Sequence, residues 1–329
     1  MRLVLAPMEG VIDNNMREIL STSGHISRCV TEFVRVTDRL LPRRVFTRYC
    51  PELNSGGITA SGTPVYLQLL GGQPTPMAEN AAKAASFGAA GIDLNFGCPA
   101  KTVNRNDGGS ILLRDTERLY NIVAKVRQAV PSKIPVTAKI RLGYEDDSLF
   151  QDNVLAIASA GANEITIHAR TKKQGYRPPA HWHQIAKIKQ LISIPVIANG
   201  EIWHPAQAYE CQEQSNCKDM MLGRGVLCRP DLPRLIHAMH DGTDCQPMSW
   251  AEIVPLLEKS LQFSADHYEI KYIGNRLKQW LVYLKHYYME ANILFQKIKR
   301  LKKSSELFSC IKQEANLSAL MSKNHPTFT

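Results

Sequence analysis

One cysteine of this sequence lies in a setting that suits proton transfer. Cys98 stands between Gly97 and Pro99, in the run Asn95-Phe96-Gly97-Cys98-Pro99. These neighbours predict a tight, rigid loop that holds the thiol in one place. Because an unperturbed thiol has a pKa of about 8.5, it is mostly protonated near neutral pH and can act as an acid. An inert buried thiol is the alternative for a single cysteine, and these neighbours favour the acid.

A lysine lies near the end of a run that is otherwise apolar or small. Lys139 belongs to the run Val136–Ile140. Because an ammonium group inside a buried strand would lose its hydration, we expect it to point into an open mouth. A fixed cation there suits the edge of a flavin ring, where negative charge accumulates on reduction. The alternative is a structural ion pair with Glu32 or Glu9.

Two glycine-containing turns predict an anion site. Asn199-Gly200 follows one short apolar run, and Gly223-Arg224-Gly225 follows another. Glycines at such turns let backbone N–H groups approach a phosphate, and Arg224 adds a positive charge. For one glycine pair alone, a tight turn without a ligand is the better interpretation. The two turns together favour the phosphate.

The apolar runs predict the elements that hold these residues. Eight short runs are rich in apolar and β-branched residues, several of them without alternation, as is typical of buried parallel strands. Each is followed by a helical pattern, which predicts an α/β fold, a (β/α)8 TIM barrel. A doubly wound sheet is the alternative, but the count of eight and the absence of an early G-x-G-x-x-G favour the barrel. The predicted strands are Leu3–Ala6, Cys29–Phe33, Val65–Leu69, Gly91–Asn95, Val136–Ile140, Glu164–His168, Val196–Ala198 and Asp219–Leu222.

The residues that follow these strands are nearly all polar or glycine. In a barrel of this kind functional groups gather at the carboxyl ends of the strands, and core packing does not explain so many polar residues there. For His168, beside Arg170, we favour a cofactor contact over general base catalysis. The strand ends carry Pro7, Met8 and Glu9, then Glu32 and Arg35, Gln68, Asn95 and Cys98, Lys139 and Arg141, His168 and Arg170, Asn199, Gly200 and Glu201, and Gly223 and Arg224.

The pattern changes near residue 245, where good strand candidates end. We predict a barrel domain over residues 1–244, a helical domain of about four helices over residues 245–319, and a frayed tail over residues 320–329. Ser249 and Glu252 have the spacing of a capping box at the start of the first of these helices.

The chain is basic, with 40 Lys+Arg, 30 Asp+Glu and a net charge of +10. Residues 250–329 hold 12 Lys+Arg and 7 Asp+Glu, so they carry half of the excess. A polyanionic partner explains this charge, and so does solubility. Basic residues alternate with aromatic ones in the helical part, which fits RNA binding or a solvated basic face. The basic residues concerned are Lys271, Arg276, Lys278 and Lys299.

The cysteines and the N-terminus bear on the compartment. None of the eight cysteines forms a C-x-x-C pair, so we expect no metal site. The N-terminal apolar run is too short for a signal peptide, and no stretch is long enough to span a membrane. We therefore expect a cytoplasmic protein with reduced thiols. We also expect a monomer.

Six motifs, in order over roughly the first 230 residues, resemble those of the tRNA-dihydrouridine synthases, and further runs resemble the bacterial C-type members. The subfamily runs are Thr31–Val36, Cys50–Leu53 and Arg276–Leu281. The family motifs are Ala6-Pro7-Met8-Glu9-Gly10-Val11, Leu94-Asn95-Phe96-Gly97-Cys98-Pro99, Lys101 with Val103, His168-Ala169-Arg170-Thr171 with Gly175-Tyr176, Pro195-Val196-Ile197-Ala198-Asn199-Gly200-Glu201-Ile202 and Leu222-Gly223-Arg224-Gly225.

The resemblance implies FMN as cofactor, NADPH as reductant and uridine 16 of the tRNA D-loop as target. It implies that hydride passes from FMN N5 to C6 of the uracil and that Cys98 protonates C5. The implied cofactor residues are Pro7, Met8, Glu9, Gln68, Lys139, His168, Asn199, Gly200, Glu201, Gly223 and Arg224. The implied tRNA contacts are Arg35, Asn95, Arg141, Tyr176, Lys271, Arg276, Lys278 and Lys299.

The chain departs from the family in the segment after Cys98, which is usually rich in glycine. Here it reads Asn104-Arg105-Asn106-Asp107-Gly108-Gly109-Ser110, which puts its flexibility and its tRNA contacts in question. Two other functions remain open. One is a flavin barrel that acts on a small pyrimidine such as dihydroorotate, which would not need a basic helical domain. The other is a non-catalytic tRNA-binding protein, against which the presence of Cys98 and Lys139 argues.

Overall fold

The computed structural model describes residues 1–23 and 25–324, and it shows a closed barrel of parallel strands followed by helices. The strands are β1 (Leu3–Leu5), β2 (Arg28–Val30), β3 (Val34–Arg35), β4 (Val65–Leu70), β5 (Gly91–Phe96), β6 (Val136–Arg141), β7 (Glu164–His168), β8 (Val196–Asn199) and β9 (Asp219–Leu222). The helices are α1 (Asn14–Ser23), α2 (Arg43–Tyr49), α3 (Pro74–Ser86), α4 (Lys101–Arg105), α5 (Thr116–Ala129), α6 (Phe150–Ser159), α7 (Trp182–Lys189), α8 (Pro205–Ser215), α9 (Arg224–Cys228), α10 (Leu232–Asp241), α11 (Trp250–His267), α12 (Ile273–Leu284), α13 (Met289–Ile298) and α14 (Ser304–Asn324).

The barrel closes because β2 pairs with both β1 and β4, and β1 also pairs with β9. All of these pairings are parallel, so the carboxyl ends of the strands meet at one face. Most strand residues are buried, and several strands hold consecutive apolar residues, as expected where helices cover a sheet whose other face is the barrel interior. The predicted (β/α)8 barrel is confirmed.

The second predicted strand is interrupted. β2 ends at Val30, and β3 begins at Val34, where the chain pairs again with β4. At the break, the backbone N–H of Gln68 donates to the side-chain Oγ1 of Thr31 at 3.0 Å, in place of a backbone carbonyl. A side chain that competes for a ladder hydrogen bond is a local effect that an apolar pattern does not reveal.

The amino ends of the strands are joined by ion pairs. Arg2 contacts Asp219 at 2.7 Å and Glu164 at 2.9 Å, and Glu164 also pairs with Arg28. These carboxylates neutralise the cations on this face. Cys98 and the turns after β8 and β9 lie at the opposite, carboxyl face.

Inter-residue contacts divide the described chain into two units. One comprises residues 1–21 and 25–223, and the other holds the chain from Arg224 onward. Helices α9 and α10 thus belong with the C-terminal helices, although the sequence-based limit was placed after residue 244. The limit after residue 244 stays a prediction. The predicted tail, residues 320–329, begins inside α14, and its residues 325–329 lie outside the described chain.

The four helices predicted after residue 249 are present as α11 to α14. The capping box at the start of α11 is confirmed, since the backbone N–H of Ser249 donates to Glu252 Oε2 at 2.8 Å and the Ser249 side chain accepts from the third helical N–H. Trp280 of α12 is buried and donates to the carbonyl of Leu227 at 3.1 Å, which ties α12 to α9. Among the described residues, no helix is long and apolar enough to cross a membrane.

Candidate active site

The backbone of Cys98 is held by four hydrogen bonds at the carboxyl end of β5. Its N–H donates to Asn95 Oδ1 at 2.9 Å. Its carbonyl accepts from Asn104 Nδ2 at 2.9 Å, from Ser110 Oγ at 2.9 Å and from the backbone N–H of Ser110 at 3.1 Å. The single hydroxyl proton of Ser110 is shared with Asn104 Oδ1, also at 2.9 Å. The half-buried thiol therefore sits on a fixed backbone.

The segment Asn104–Ser110, which departs from the family pattern, supplies two of these partners. At Gly109, φ is +69°, and an added Cβ would lie 2.8 Å from the Cys98 carbonyl oxygen, so only glycine allows this approach. The segment is anchored by Arg118 of α5, which pairs with Asp107 and donates to the carbonyl of Gly72 at 2.7 Å. The segment Asn104–Ser110 is thus held by hydrogen bonds to the Cys98 backbone and by the ion pair with Arg118.

Burial raises the pKa of the Cys98 thiol, and the negative charge of Glu9 adds to this effect. A hydrogen bond from the backbone of Ala100 and the positive charge of Arg141 act in the opposite direction, but burial is the largest cause. A raised pKa keeps the thiol protonated at neutral pH. The group is therefore suited to donate a proton and poorly suited to act as a thiolate nucleophile.

A chain of hydrogen bonds runs from the Cys98 loop into the barrel. Asn95 Oδ1 also accepts from the N–H of Gly97 at 3.0 Å, and Asn95 Nδ2 donates to Gln68 Oε1 at 2.7 Å. Gln68 Nε2 donates to Asp93 Oδ2 at 2.7 Å, and burial raises the pKa of Asp93. Gln68 is fully buried and Asn95 supports the loop. Their predicted contacts with the flavin and the uracil remain predictions.

Lys139 projects from β6 next to this chain, since Asn95 and Lys139 are paired in register across β5 and β6. Its Nζ donates to Asn199 Oδ1 at 2.9 Å, and Asn199 Nδ2 donates to the carbonyl of Met221 at 2.8 Å. Burial, together with the positive charge of Arg141, lowers the pKa of Lys139 to about 7. Lys139 forms no ion pair with a described residue, so the alternative of a structural pair with Glu32 or Glu9 loses its support.

The turn after β8 is shaped by an ion pair. Arg170 is fully buried and pairs with Glu201, whose other oxygen accepts from Trp203 Nε1 at 3.0 Å. Gly200 has φ of +119°, and an added Cβ would lie 3.1 Å from the ring of His168. The Glu201 carboxylate is thus paired with Arg170. The backbone N–H groups of the turn are therefore the groups that could bind an anion.

The turn after β9 differs in a way that bears on a ligand. An added Cβ at Gly223 would meet Met8 Sδ at 3.8 Å and Ala6 Cβ at 3.9 Å, which are ordinary contacts, and its φ is not positive. Packing therefore does not demand glycine here, whereas close approach of an external group to the backbone would. Arg224 follows directly and begins α9. Pro7 and Met8 are half-buried and Glu9 is exposed at the end of β1.

Arg141 and Tyr176 lie together at the rim. Arg141 is 2% exposed and donates to the carbonyls of Gly97 at 2.8 Å and Gly175 at 2.9 Å. Its guanidinium lies 5.1 Å from the centroid of the Tyr176 ring, which is 51% exposed and 5.8 Å from the His168 ring. Arg141 thus supports the Cys98 loop from behind, and Tyr176 presents an open aromatic face.

The predicted tRNA-binding residues of the second unit are on or beside α12 and α13. Lys278 Nζ donates to the carbonyl of Leu301 at 2.6 Å, and burial lowers the pKa of Lys278. Arg276 Nη1 donates to Gln279 Oε1 at 3.1 Å. Lys271 pairs with Glu269 at 3.0 Å, and Lys299 contacts Gln296. A cavity of 420 Å³ is lined by Tyr268, Tyr272, Asn275, Arg276 and Gln279.

For four residues that hold the site, the sequence predicts no individual role. Asn104 and Ser110 belong to the segment that departs from the family pattern. Arg118 has no predicted role, and neither has Arg170, which pairs with Glu201. The signal that could have identified them is the presence of polar residues next to a glycine turn. Their pairing with residues far away in the chain is not visible in a sequence. Among the described residues, no group of three or more His, Cys, Asp or Glu side chains could hold a metal ion.

Solved structures with a similar fold include 2-naphthoyl-CoA reductase, with a TM-score of 0.55 and 13% identity over 74% of this chain and 50% of that chain. Another is histamine dehydrogenase from Rhizobium sp. 4-9, with a TM-score of 0.54 and 15% identity over 78% of this chain and 48% of that chain. This chain spans about half the length of each. At these identities the likeness shows the fold alone.

Sequence relatives are much more similar. The tRNA-dihydrouridine(16) synthase of Shewanella oneidensis is 49% identical over 313 residues, which cover 95% of this chain and 98% of that protein. The protein of the same name from Haemophilus influenzae is 46% identical over 308 residues, which cover 93% of this chain and 98% of that protein. A sequence model of the dihydrouridine synthases (Dus) matches residues 4–322. The chain therefore belongs to the dihydrouridine synthase family.

Proposed function

We propose that this protein reduces the C5=C6 bond of uridine 16 in the tRNA D-loop to 5,6-dihydrouridine, with bound FMN and with NADPH as reductant. The observation that carries the proposal is the Cys98 loop, where burial keeps a thiol protonated on a backbone held by four hydrogen bonds. The similar proteins from Shewanella oneidensis and Haemophilus influenzae are named for this reaction and position. We place the activity in the cytoplasm and expect a monomer.

A flavin fits the residues at the carboxyl face of the barrel. Lys139 offers a cation that has no carboxylate partner among the described residues. Position 223 is glycine although packing would admit a side chain there, which leaves its backbone open to a ligand. When bound, FMN in its reduced form supplies the hydride that adds to C6 of the uracil, and NADPH reduces the flavin again. Lys139 would hold the N1–C2=O edge, and the other residues assigned to FMN are Pro7, Met8, Glu9, Gln68, His168, Asn199, Gly200, Glu201, Gly223 and Arg224.

Cys98 completes the reduction. Hydride addition at C6 moves electron density through C5 to O4, so C5 becomes basic. The Cys98 thiol gives its proton to C5, which forms the second C–H bond of the product, and the thiolate then regains a proton from water. General acid catalysis of this kind requires the donor to be protonated and in reach. The raised pKa supports the first condition, and the held backbone gives the thiol a defined position from which to meet the second.

The RNA must present one base to this face. A uracil inside a stacked helix or loop is out of reach, so the target nucleotide has to be unstacked and turned outward. The open ring of Tyr176 is suited to contact it at the rim. We assign Arg35, Asn95 and Arg141 to the RNA on the barrel, and Lys271, Arg276, Lys278 and Lys299 in the helical part.

The test is a reaction of purified protein with FMN, NADPH and an unmodified tRNA transcript, followed by mapping of dihydrouridine along the chain. We expect the modified base at position 16. Dihydrouridine at another position would contradict the proposed target, uridine 16, and would still support the proposed reaction. Absence of product on tRNA, together with turnover of dihydroorotate, would replace the proposal with a small-molecule oxidoreductase.

The hydrogen bonds from Asn104 and Ser110 give a prediction for the loop. In the double variant Asn104→Ala/Ser110→Ala the Cys98 carbonyl loses its two side-chain donors. Because small displacements of a reacting group are costly, we expect the rate of uracil reduction by the pre-reduced enzyme to fall by about 10- to 100-fold. Single-turnover formation of dihydrouridine measures this step.

A matched readout separates this effect from damage to the fold. The rate at which NADPH reduces the bound flavin does not involve Cys98, so it should equal that of the unaltered protein. If both rates fall together, the two residues support the barrel rather than the thiol. If neither changes, the loop is held sufficiently by Asn95 and by the Ser110 backbone.

A further inference from the structure

A dense group of arginines lies on the barrel between the second and third barrel strands. Residues 35–48 contain five arginines and one acidic residue, Asp38, a net charge of +4 within fourteen positions. All five arginine side chains are exposed. We call this set the arginine segment, and it consists of Arg35, Arg39, Arg43, Arg44 and Arg48.

The arginine segment consists of charges that no carboxylate neutralises, unlike several other arginines of the barrel. Arg17 pairs with Glu52, Arg114 with Glu145 and Arg118 with Asp107. Within the part of the chain that the structure describes, no member of the arginine segment forms an ion pair. Unpaired like charges that are concentrated in one place repel one another, which lowers the stability of the fold without need if the surface serves only solubility. Such a cluster is favourable when a polyanion covers it.

Two of these guanidinium groups are held in place by aromatic rings. Arg43 lies 5.0 Å from the centroid of the Phe87 ring and donates to Asn54 Oδ1 at 3.2 Å. Arg48 lies 5.8 Å from the Tyr49 ring. Stacking leaves the edge of a guanidinium free for bidentate contacts with phosphate, and a side chain already ordered loses less entropy on binding.

The segment begins at the face that holds the candidate active site. Arg35 is the last residue of β3 and pairs in register with Leu70, the last residue of β4. The chain then leads through residues 36–42 into α2, which carries Arg43, Arg44 and Arg48. The positive charge therefore extends from the rim of the barrel mouth along its outer wall.

We propose that Arg39, Arg43, Arg44 and Arg48 bind the sugar–phosphate backbone of the tRNA on one side of the nucleotide that enters the barrel. These residues belong to the unit that holds the barrel. The proposal rests on the proposed function only for the identity of the RNA. Contacts to phosphates position an RNA without reading its bases. The segment therefore sets affinity and orientation, and the mouth selects the base.

The test compares two triple variants as FMN-loaded full-length proteins. One is Arg43→Gln/Arg44→Gln/Arg48→Gln. The matched control, Lys125→Gln/Lys133→Gln/Lys187→Gln, removes the same charge from exposed positions elsewhere on the barrel. Fluorescence anisotropy of a labelled, unmodified tRNA transcript gives Kd at several salt concentrations, and the slope of log Kd against log salt counts phosphate contacts.

We expect the arginine variant to bind tRNA on the order of 10- to 100-fold more weakly at ~0.1 M salt and to lose about 2 to 3 from the magnitude of the salt slope. The control should keep both values. An unchanged Kd and slope, or an equal loss in the control, would overturn the proposal. If the triple variant does not fold, Arg44→Gln alone should lower the slope by about 1.

The binding measurement does not depend on catalysis. A wild-type protein that binds tRNA but forms no dihydrouridine would contradict the proposed function and leave the salt slopes informative. Reduction of the bound flavin by NADPH without tRNA should be the same in all three proteins. A change there in the arginine variant would show that the substitutions disturb the barrel mouth, and the proposal would fail.

Discussion

Replacement of Cys98 by alanine should lower the rate of dihydrouridine formation by about 10²–10⁴-fold, the usual contribution of a general acid. The bound flavin and its reduction by NADPH should be unaffected, because neither uses the thiol. Cys98→Ser should be almost as slow as Cys98→Ala, since a hydroxyl is a far weaker acid than a thiol. Rapid mixing of NADPH, and separately of tRNA with pre-reduced enzyme, measures the two steps independently.

The matched control for this prediction is Cys245→Ala, which removes a half-buried thiol from the chain after the barrel strands. It should leave both steps unchanged. The role of Cys98 as acid would be refuted if Cys98→Ala formed product at the rate of the unaltered protein. Loss of flavin reduction in Cys98→Ala would instead indicate that the loop shapes the cofactor site.

The affinity of the apoprotein for FMN should depend on pH through Lys139. Burial lowers the pKa of its ammonium group to about 7. A ring edge that accepts a hydrogen bond from the ammonium group raises this pKa, so binding is coupled to protonation. The affinity should therefore be full below about pH 7 and should fall as pH rises above it, by up to about tenfold per pH unit, until the pKa of the complex is reached.

Lys139→Met isolates this effect, because it keeps a similar chain length and has no titrating group. It should bind FMN more weakly than the unaltered protein at about pH 6, and its affinity should lack the decline above about pH 7. Lys125→Met, at an exposed position, serves as the control and should match the unaltered protein. Quenching of FMN fluorescence across this range measures all three. Parallel curves for the protein and Lys139→Met would exclude the coupling.

Much of the fold could be predicted because its signals are local. The eight apolar runs correspond to the eight barrel strands within one or two residues, apart from the interrupted second strand. Continuous apolar runs arise from burial on both faces, and that burial is a property of each strand alone. The spacing of Ser249 and Glu252 predicted a capping box for a similar reason, since its hydrogen bonds join residues three apart.

The candidate site was predictable only in part. Its position at the strand ends follows from the barrel, and the types of residues there could be listed from the chain. The pairing of Lys139 with Asn199 joins residues sixty positions apart, and that of Arg170 with Glu201 joins two different loops. No pattern in the sequence distinguishes these partners from Glu32 or Glu9. Gln68 shows the same limit, because its complete burial depends on Asp93 and Asn95 in the neighbouring strand.

The sequence alone was sufficient for the barrel and the family, because short-range patterns and motifs carry that information, and it singled out Cys98 as the proposed proton donor. The tertiary structure decided what holds Cys98 in place. The segment Asn104–Ser110 looked like a polar disturbance of a glycine-rich loop, yet it folds back so that Asn104 and Ser110 bond the Cys98 carbonyl and Gly109 leaves room for the approach. Hydrogen bonds require distance and direction, and both exist only once the chain is folded.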